Sequence, residues 1–220
     1  MNTLKITLTG ASPILFRRCY PEFDEGCEDL TAWMRDPANK ELVALNDDRF
    51  PSWRWQAALG RGSTRVGMLS FFLCVAFGNA AKKFKQPDGR SYRNTVKACL
   101  VPNTEWFDFT FGPDHDRVLT TEELQQIRDL SYHDQSAWVR QKGFALSSRR
   151  FRDVCRVRVR FDDWQVTGTF SNVYPERLPV DVLQQIVDDA GKFEGLLDWR
   201  PGSPQSPGTY GTFTGSITVL

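Results

Sequence analysis

The chain opens on an alternating run. In residues 4 to 10, LKITLTG, the apolar Leu4, Ile6 and Leu8 fall to one side of an extended backbone and polar residues to the other, the two-residue period of a strand. Gly10 and Pro13 end it. EDLTAWMRDPANKEL predicts a short helix stopped near Pro37, because proline disfavours helix in the residue before it. The stretch that follows, rich in Trp, Gly and polar residues, reads as irregular. Residues 70 to 84 predict a helix that Ser70 can cap. Phe72, Val75, Ala76 and Asn79 lie on one side and Phe71, Cys74 and Phe77 beside them, which predicts burial. Residues 95–101 and 104–112 read as strands. Thr120 and Glu123 have capping-box spacing ahead of an amphipathic run, and DQSAWVRQKGF predicts a helix ended by Gly143.

Two further alternating runs, 154–161 and 164–172, flank Asp162-Asp163 and read as a hairpin. Leu183, Ile186, Val187 and Ala190 recur with helical period over 180–192, with Pro179 suited to the first turn. A loop dense in Gly, Pro and Ser (195–211) precedes a last strand in 209–219. With 10–69 and 86–153 set aside as insertions, strand 4–9, helix 70–84, strands 154–172, helix 180–192 and strand 209–219 give the order β-α-β-β-α-β. That order predicts an α+β, ferredoxin-like core within a single domain, 1–220.

Charge changes the picture locally. The formal net charge is +1, which excludes a histone-like basic protein. Yet Arg140, Lys142, Arg149, Arg150, Arg152, Arg156, Arg158 and Arg160 crowd one segment in which Asp153 is the acid. Arg156, Arg158 and Arg160 alternate with valines, so a strand sets them in a row about 6.6–6.8 Å apart. Arginine suits phosphate because its planar fork donates two parallel hydrogen bonds. A solvated outer face that blocks strand pairing, and contact with an acidic protein partner, are the competing explanations. Lys82, Lys83 and Lys85 either complement the negative end of the 70–84 helix or meet phosphate. Aromatic residues among cations, Trp53 and Trp55 near Arg54, and Trp199 and Tyr210 near Arg200, suit either base stacking or the pinning of long loops.

Other chemistry is sparse. Five cysteines without CxxC spacing argue against a disulfide framework and a zinc site. The two histidines, His115 and His133, have no ligand spacing, and no Walker A, Rossmann, HExxH or GxSxG motif is present. The expectation is no catalytic residue, no metal and no cofactor. No apolar run approaches the roughly 20 residues of a membrane span, and the first residues lack a secretory pattern, so a bacterial cytoplasm is expected.

GASPILF, DPANKEL…DDRFPSWRWQAAL and GKFEGLLDWRPGSPQSPGTYGTF, spread over nearly the whole chain, resemble a family of uncharacterised phage and prophage proteins. TGASPILF and the glycines Gly195, Gly202, Gly208 and Gly211, between the last helix and last strand, resemble the RAMP superfamily, the ferredoxin-like RNA-binding proteins of CRISPR complexes. The second resemblance implies an RRM-like core, a glycine-rich loop that approaches phosphate, and assembly along the ligand. The combined expectation is a non-catalytic protein of phage or anti-phage context that binds RNA or single-stranded DNA. Its expected binding residues are Arg149, Arg150, Arg152, Arg156, Arg158, Arg160, Arg200, Lys82, Lys83, Trp199 and Tyr210. The alternative is a self-associating protein–protein or phage assembly component, with a RAMP-type ribonuclease ranked last.

Overall fold

A computed structural model describes residues 1–16, 66–119, 123, 138–147, 150–204 and 207–220, with backbone alone for 138–147 and 150–159. The chain divides into two compact units. The first comprises 1–15, 65–119 and 161–220, and the second 16–64 and 120–160. Segments set aside as insertions thus contribute to both units.

The first unit is built on β1 (Asn2–Gly10), the predicted opening strand. It pairs antiparallel with β8 (Trp164–Asn172) on one side and β9 (Phe213–Val219) on the other. The outer side of β8 is shared by two strands. Its first residues pair with β5 (Trp106–Phe111) and its last with β4 (Leu100–Pro102). A short β3 (Gly67–Leu69) completes the order β3-β5-β8-β1-β9. Alternation sends Leu4, Ile6 and Leu8, Phe107, Phe109 and Phe111, and Trp164, Val166 and Phe170 to one buried face.

Two helices cover that face. In α1 (Phe71–Ala80), Phe77 packs toward Phe170, ring centroids 6.5 Å apart. In α3 (Val180–Asp189), Leu183, Ile186 and Val187 are buried, and Val187 lies over Gly215 and beside Leu8. The chain leaves α3 through a π-helical turn, Ala190–Glu194. Asn172 is buried at the end of β8, its Nδ2 donating to the Leu178 carbonyl at 2.8 Å.

Several expectations are corrected. Residues 95–101 split into α2 (Arg93–Cys99) and β4. Val96 and Cys99, three apart, are the buried pair, and that spacing is helical. Of the helix expected over DQSAWVRQKGF, the described part is instead in strand β6 (Trp138–Ser147), and Gly143 lies inside it. The hairpin expected across Asp162-Asp163 does not form. The run 154–161 belongs to a longer strand, β7 (Arg150–Phe161), in a separate sheet of order β2-β7-β6, where β2 is Ile14–Phe16. The place beside Trp164 is filled by Phe111 of β5. Helix α1 stops at Ala80, so Lys82, Lys83 and Lys85 follow it, and Ser70 makes no side-chain capping bond. Phe71 and Phe72, expected buried, are exposed.

Candidate nucleic-acid interface

β6 and β7 pair antiparallel in continuous register, Ser147 opposite Arg150 through Trp138 opposite Val159. Because strand residues alternate between faces, β7 assigns Arg150, Arg152, Arg156, Arg158 and Arg160 to one face. Val154 interrupts the row. The backbone from Arg150 to Arg160 runs about 34 Å at the strand rise. The β6 positions opposite them are Ser147, Ala145, Gln141 and Val139, with Gly143 opposite Val154. These are neutral and mostly small. Asp153 falls on the other face, opposite Phe144, with Lys142 and Arg140. The sequence pattern marked three arginines as a row; the length of β7 adds Arg150 and Arg152 to the same parity. Arg160 is partly buried and engaged with neighbouring groups. Arg149 lies outside the described residues, as do Trp53, Trp55 and His133.

The remaining predicted binding residues belong to the first unit. The loop after the π turn is folded closely onto the strand end at Gly10. Leu196 N–H donates to Gly211, Gly211 N–H to Pro13 and Asp198 N–H to Leu15. Ser12 Oγ meets both the amide and the hydroxyl of Thr212. Trp164 Nε1 donates to the Ser12 carbonyl at 2.8 Å. Trp199 and Tyr210 stack on one another at 5.4 Å, and Arg200 donates to the Leu197 carbonyl at 3.0 Å. The amides of Gly195, Gly202 and Gly208 donate to Ala190, Glu194 and Arg200 carbonyls. Leu197 and Trp199 hold positive φ, 59° and 51°, a conformation that costs non-glycine residues about 1–3 kcal/mol and persists only where surroundings enforce it. A side chain on Gly208 would enter the Trp199 backbone, and one on Gly211 the Leu196 carbonyl. Glycine here permits close packing of the loop, and the glycine amides that an anion would use are already bonded to backbone carbonyls.

Lys83 bridges to Asp189 at 2.9 Å and its ammonium sits 4.1 Å from the Phe193 ring centre. It therefore ties the segment after α1 to the end of α3. Lys82 is exposed.

A β7 paired beside β8 would have set its arginines on the face of the main sheet opposite the helices; β7 is not in that sheet, and the face does not carry them. It carries hydroxyls in cross-strand rows, such as Thr169, Lys5 and Thr218, and Thr167, Thr7 and Ser216. Thr7 and Thr167 hydrogen-bond at 3.1 Å, and Gln165 donates to Thr9 at 3.0 Å. Of β1, β8 and β9, Lys5 is the cation on this face.

Catalytic groupings are not seen among the described residues. No cluster of three His, Cys, Asp or Glu able to hold a metal occurs there. His115 sits at φ 54° in a tight loop after β5, closed by reciprocal backbone bonds between Phe111 and Arg117. Burial pushes the Cys74 and Cys99 thiols above their ordinary value, which makes them poor nucleophiles at neutral pH. No helix among the described residues is long and apolar enough to cross a membrane. No protein-family model matches the chain, and no curated protein matches it.

Proposed function

We propose that the protein is a non-catalytic binder of RNA or single-stranded DNA, with the arginine face of β7 as its binding surface. One observation carries this reading: a single twelve-residue strand assigns five arginines to one face, four of them (Arg150, Arg152, Arg156 and Arg158) opposite neutral residues of β6. Alternate strand positions repeat at about 6.7 Å, so Arg150, Arg152, Arg156 and Arg158 are spaced to meet separate phosphates of an extended strand. Among the described residues of β6 and β7 no acid shares that face, which favours a positive field there.

The first unit is proposed as a ferredoxin-like core in which β5, rather than β7, is the second strand. The order β5-β8-β1-β9, antiparallel at every step, with α1 and α3 on one face, supports it. A phage or anti-phage setting in a bacterial cytoplasm is proposed from the sequence words GASPILF, DPANKEL and GKFEGLLDWRPGSPQSPGTYGTF.

Fluorescence anisotropy with labelled single-stranded RNA and DNA across a salt series tests the binding. Replacing Arg152, Arg156 and Arg158 together by Ser is expected to weaken binding by tens-fold or more. The log–log salt slope should fall by about 2, near 0.7 for each phosphate of a single strand that is no longer neutralised. Unchanged affinity and slope, with an unchanged circular dichroism spectrum, would remove the interface. A protein–protein role is the second reading, favoured by the exposure of Phe71 (63%) and Phe72 (43%) beside exposed Leu69. It predicts a defined oligomer free of nucleic acid.

A further inference from the structure

β9 is an edge strand with an unusual guard. It pairs with β1 on one side and, among the described residues, with no other strand. Its sequence, FTGSITV, has neither charge nor proline, the devices that ordinarily keep an edge from recruiting another strand. The register fixes which of its backbone groups face outward. Leu220 N–H donates to Thr3 and Ala11 N–H to Thr212, so the even-numbered residues turn their peptide groups toward β1. The odd-numbered residues, Phe213, Gly215, Ile217 and Val219, turn theirs to the edge.

Gln184 of α3 meets two of these outward groups at once. Its Nε2 donates to the Gly215 carbonyl at 2.8 Å, and its Oε1 accepts from the Ile217 amide at 3.1 Å. Asp188, one turn on, accepts from the same Nε2 at 3.0 Å and holds the amide in place. A primary amide presents the same N–H and C=O as a peptide unit. Gln184 therefore stands where the backbone of a neighbouring strand would stand. The π turn extends the cover: Gly191 approaches the Phe213 carbonyl so closely that a Cβ would collide with it.

We infer that Gln184 is a surrogate strand that prevents β9 from pairing with β9 of a second copy of this chain. The geometry favours a second copy over an unrelated strand. Two β9 strands related by a twofold axis at Ser216 place Gly215 opposite Ile217 and Phe213 opposite Val219. In that antiparallel pairing Ile217 N–H of each copy donates to Gly215 C=O of the other. These are the two groups that Gln184 takes. Side chains of β9 would then continue the same faces across the junction, hydroxyls of Thr214, Ser216 and Thr218 on one side and Gly215 and Ile217 on the other. The inference is independent of the arginine face, which belongs to the other sheet.

The test uses the full chain carrying Gln184→Met, which keeps the side-chain length but removes both hydrogen bonds. Light scattering after size exclusion is expected to show a concentration-dependent dimer for Gln184→Met and a lower mass for the wild type. Adding Ile217→Pro, which deletes the outward amide, should return the variant to the wild-type mass. Amide exchange gives a second reading should the dimer precipitate. Ile217 should be protected in the wild type at all concentrations, and in the variant only as concentration rises. A Gln184→Met chain with the wild-type mass and an equally protected Ile217 amide would overturn the inference. So would a dimer that Ile217→Pro leaves intact, or a wild-type dimer that Ile217→Pro dissolves.

Discussion

Gly10 and Trp164 offer a test of the packing that seats the loop. Trp164 is fully buried, its indole held edge-on to Phe109 at 5.6 Å and pinned by the 2.8 Å bond to the Ser12 carbonyl. A Cβ on Gly10 would lie 2.5–2.8 Å from three indole atoms. Two effects oppose each other in Gly10→Ala. Restricting the unfolded chain stabilises by about 0.4–1 kcal/mol. Overlap with a ring that cannot retreat costs about 1–3 kcal/mol. The overlap wins, for a net loss of about 1 kcal/mol, equivalent to a drop of about half a molar in urea midpoint at a slope near 2 kcal/mol/M. Trp164→Leu alone costs about 3 kcal/mol in packing and hydrogen bonding. In the Trp164→Leu background the obstruction is gone, so Gly10→Ala becomes neutral or slightly stabilising. The reversal of sign is the diagnostic, a coupling of about 1.5 kcal/mol. Urea unfolding of the four variants by far-ultraviolet circular dichroism measures it. Equal costs of Gly10→Ala in both backgrounds would refute the close approach of Gly10 to the indole.

Three further outcomes are expected. Asn172→Ala should cost about 1–3 kcal/mol by chemical denaturation, because the Leu178 carbonyl loses its donor in a buried place. The Lys83–Asp189 pair has one half-exposed partner, so a double-mutant cycle with Lys83→Met and Asp189→Asn should give a coupling under about 1 kcal/mol that shrinks with salt. Cys74 and Cys99 carry raised folded-state pKa values, so their thiols stay protonated when the unfolded chain's would ionise. Their contribution to stability is present below the unfolded thiol value of about 9 and falls as pH rises beyond it. Site-resolved alkylation followed by mass spectrometry at pH 8 should label both more slowly in the native chain than in urea.

The strands that show clean alternation were legible one by one. Leu4, Ile6 and Leu8, and the phenylalanines of β5, lie where a period of two places them. So were the buried positions of α3. Short elements were not. Over 95–101, Val96, Ala98 and Leu100 alternate as a strand would while Val96 and Cys99 are spaced as one helical turn, and packing against the rest of the unit decides between them. β6 misled for a different reason: Trp138, Arg140, Lys142, Phe144 and Leu146 mix cations with apolar residues on one parity, which hides the alternation. Ser70 shows that a capping residue in sequence need not cap. Its backbone amide donates to the Glu105 carbonyl, while its own carbonyl serves the first turn of α1.

Pairing is the level at which local reading gave out, and it is the level that decides the site. Asp162-Asp163 joins two alternating runs and reads locally as a hairpin, yet the neighbour of β8 comes from some fifty residues earlier in the chain. What selects β5 is the complement it offers to the buried side of β8. Phe109 meets Trp164 and Phe107 meets Phe170 at 5.4 Å, and Phe107 lies over Gly168, where a side chain would collide with its ring. β7 offers Val157 and Val159 instead, which cannot fill a groove cut for rings. The consequence is chemical. With β7 beside β8, the arginines would have shared a face with Gln165, Thr167 and Thr169. In the separate sheet their neighbours are Val139, Gln141, Ala145 and Ser147 of β6. A ligand that follows the arginines therefore runs along the β6–β7 hairpin, and replacing Thr7 or Thr167 by Ala should leave its affinity unchanged. A loss of affinity in those variants, measured in the same anisotropy assay, would return the binding surface to the main sheet.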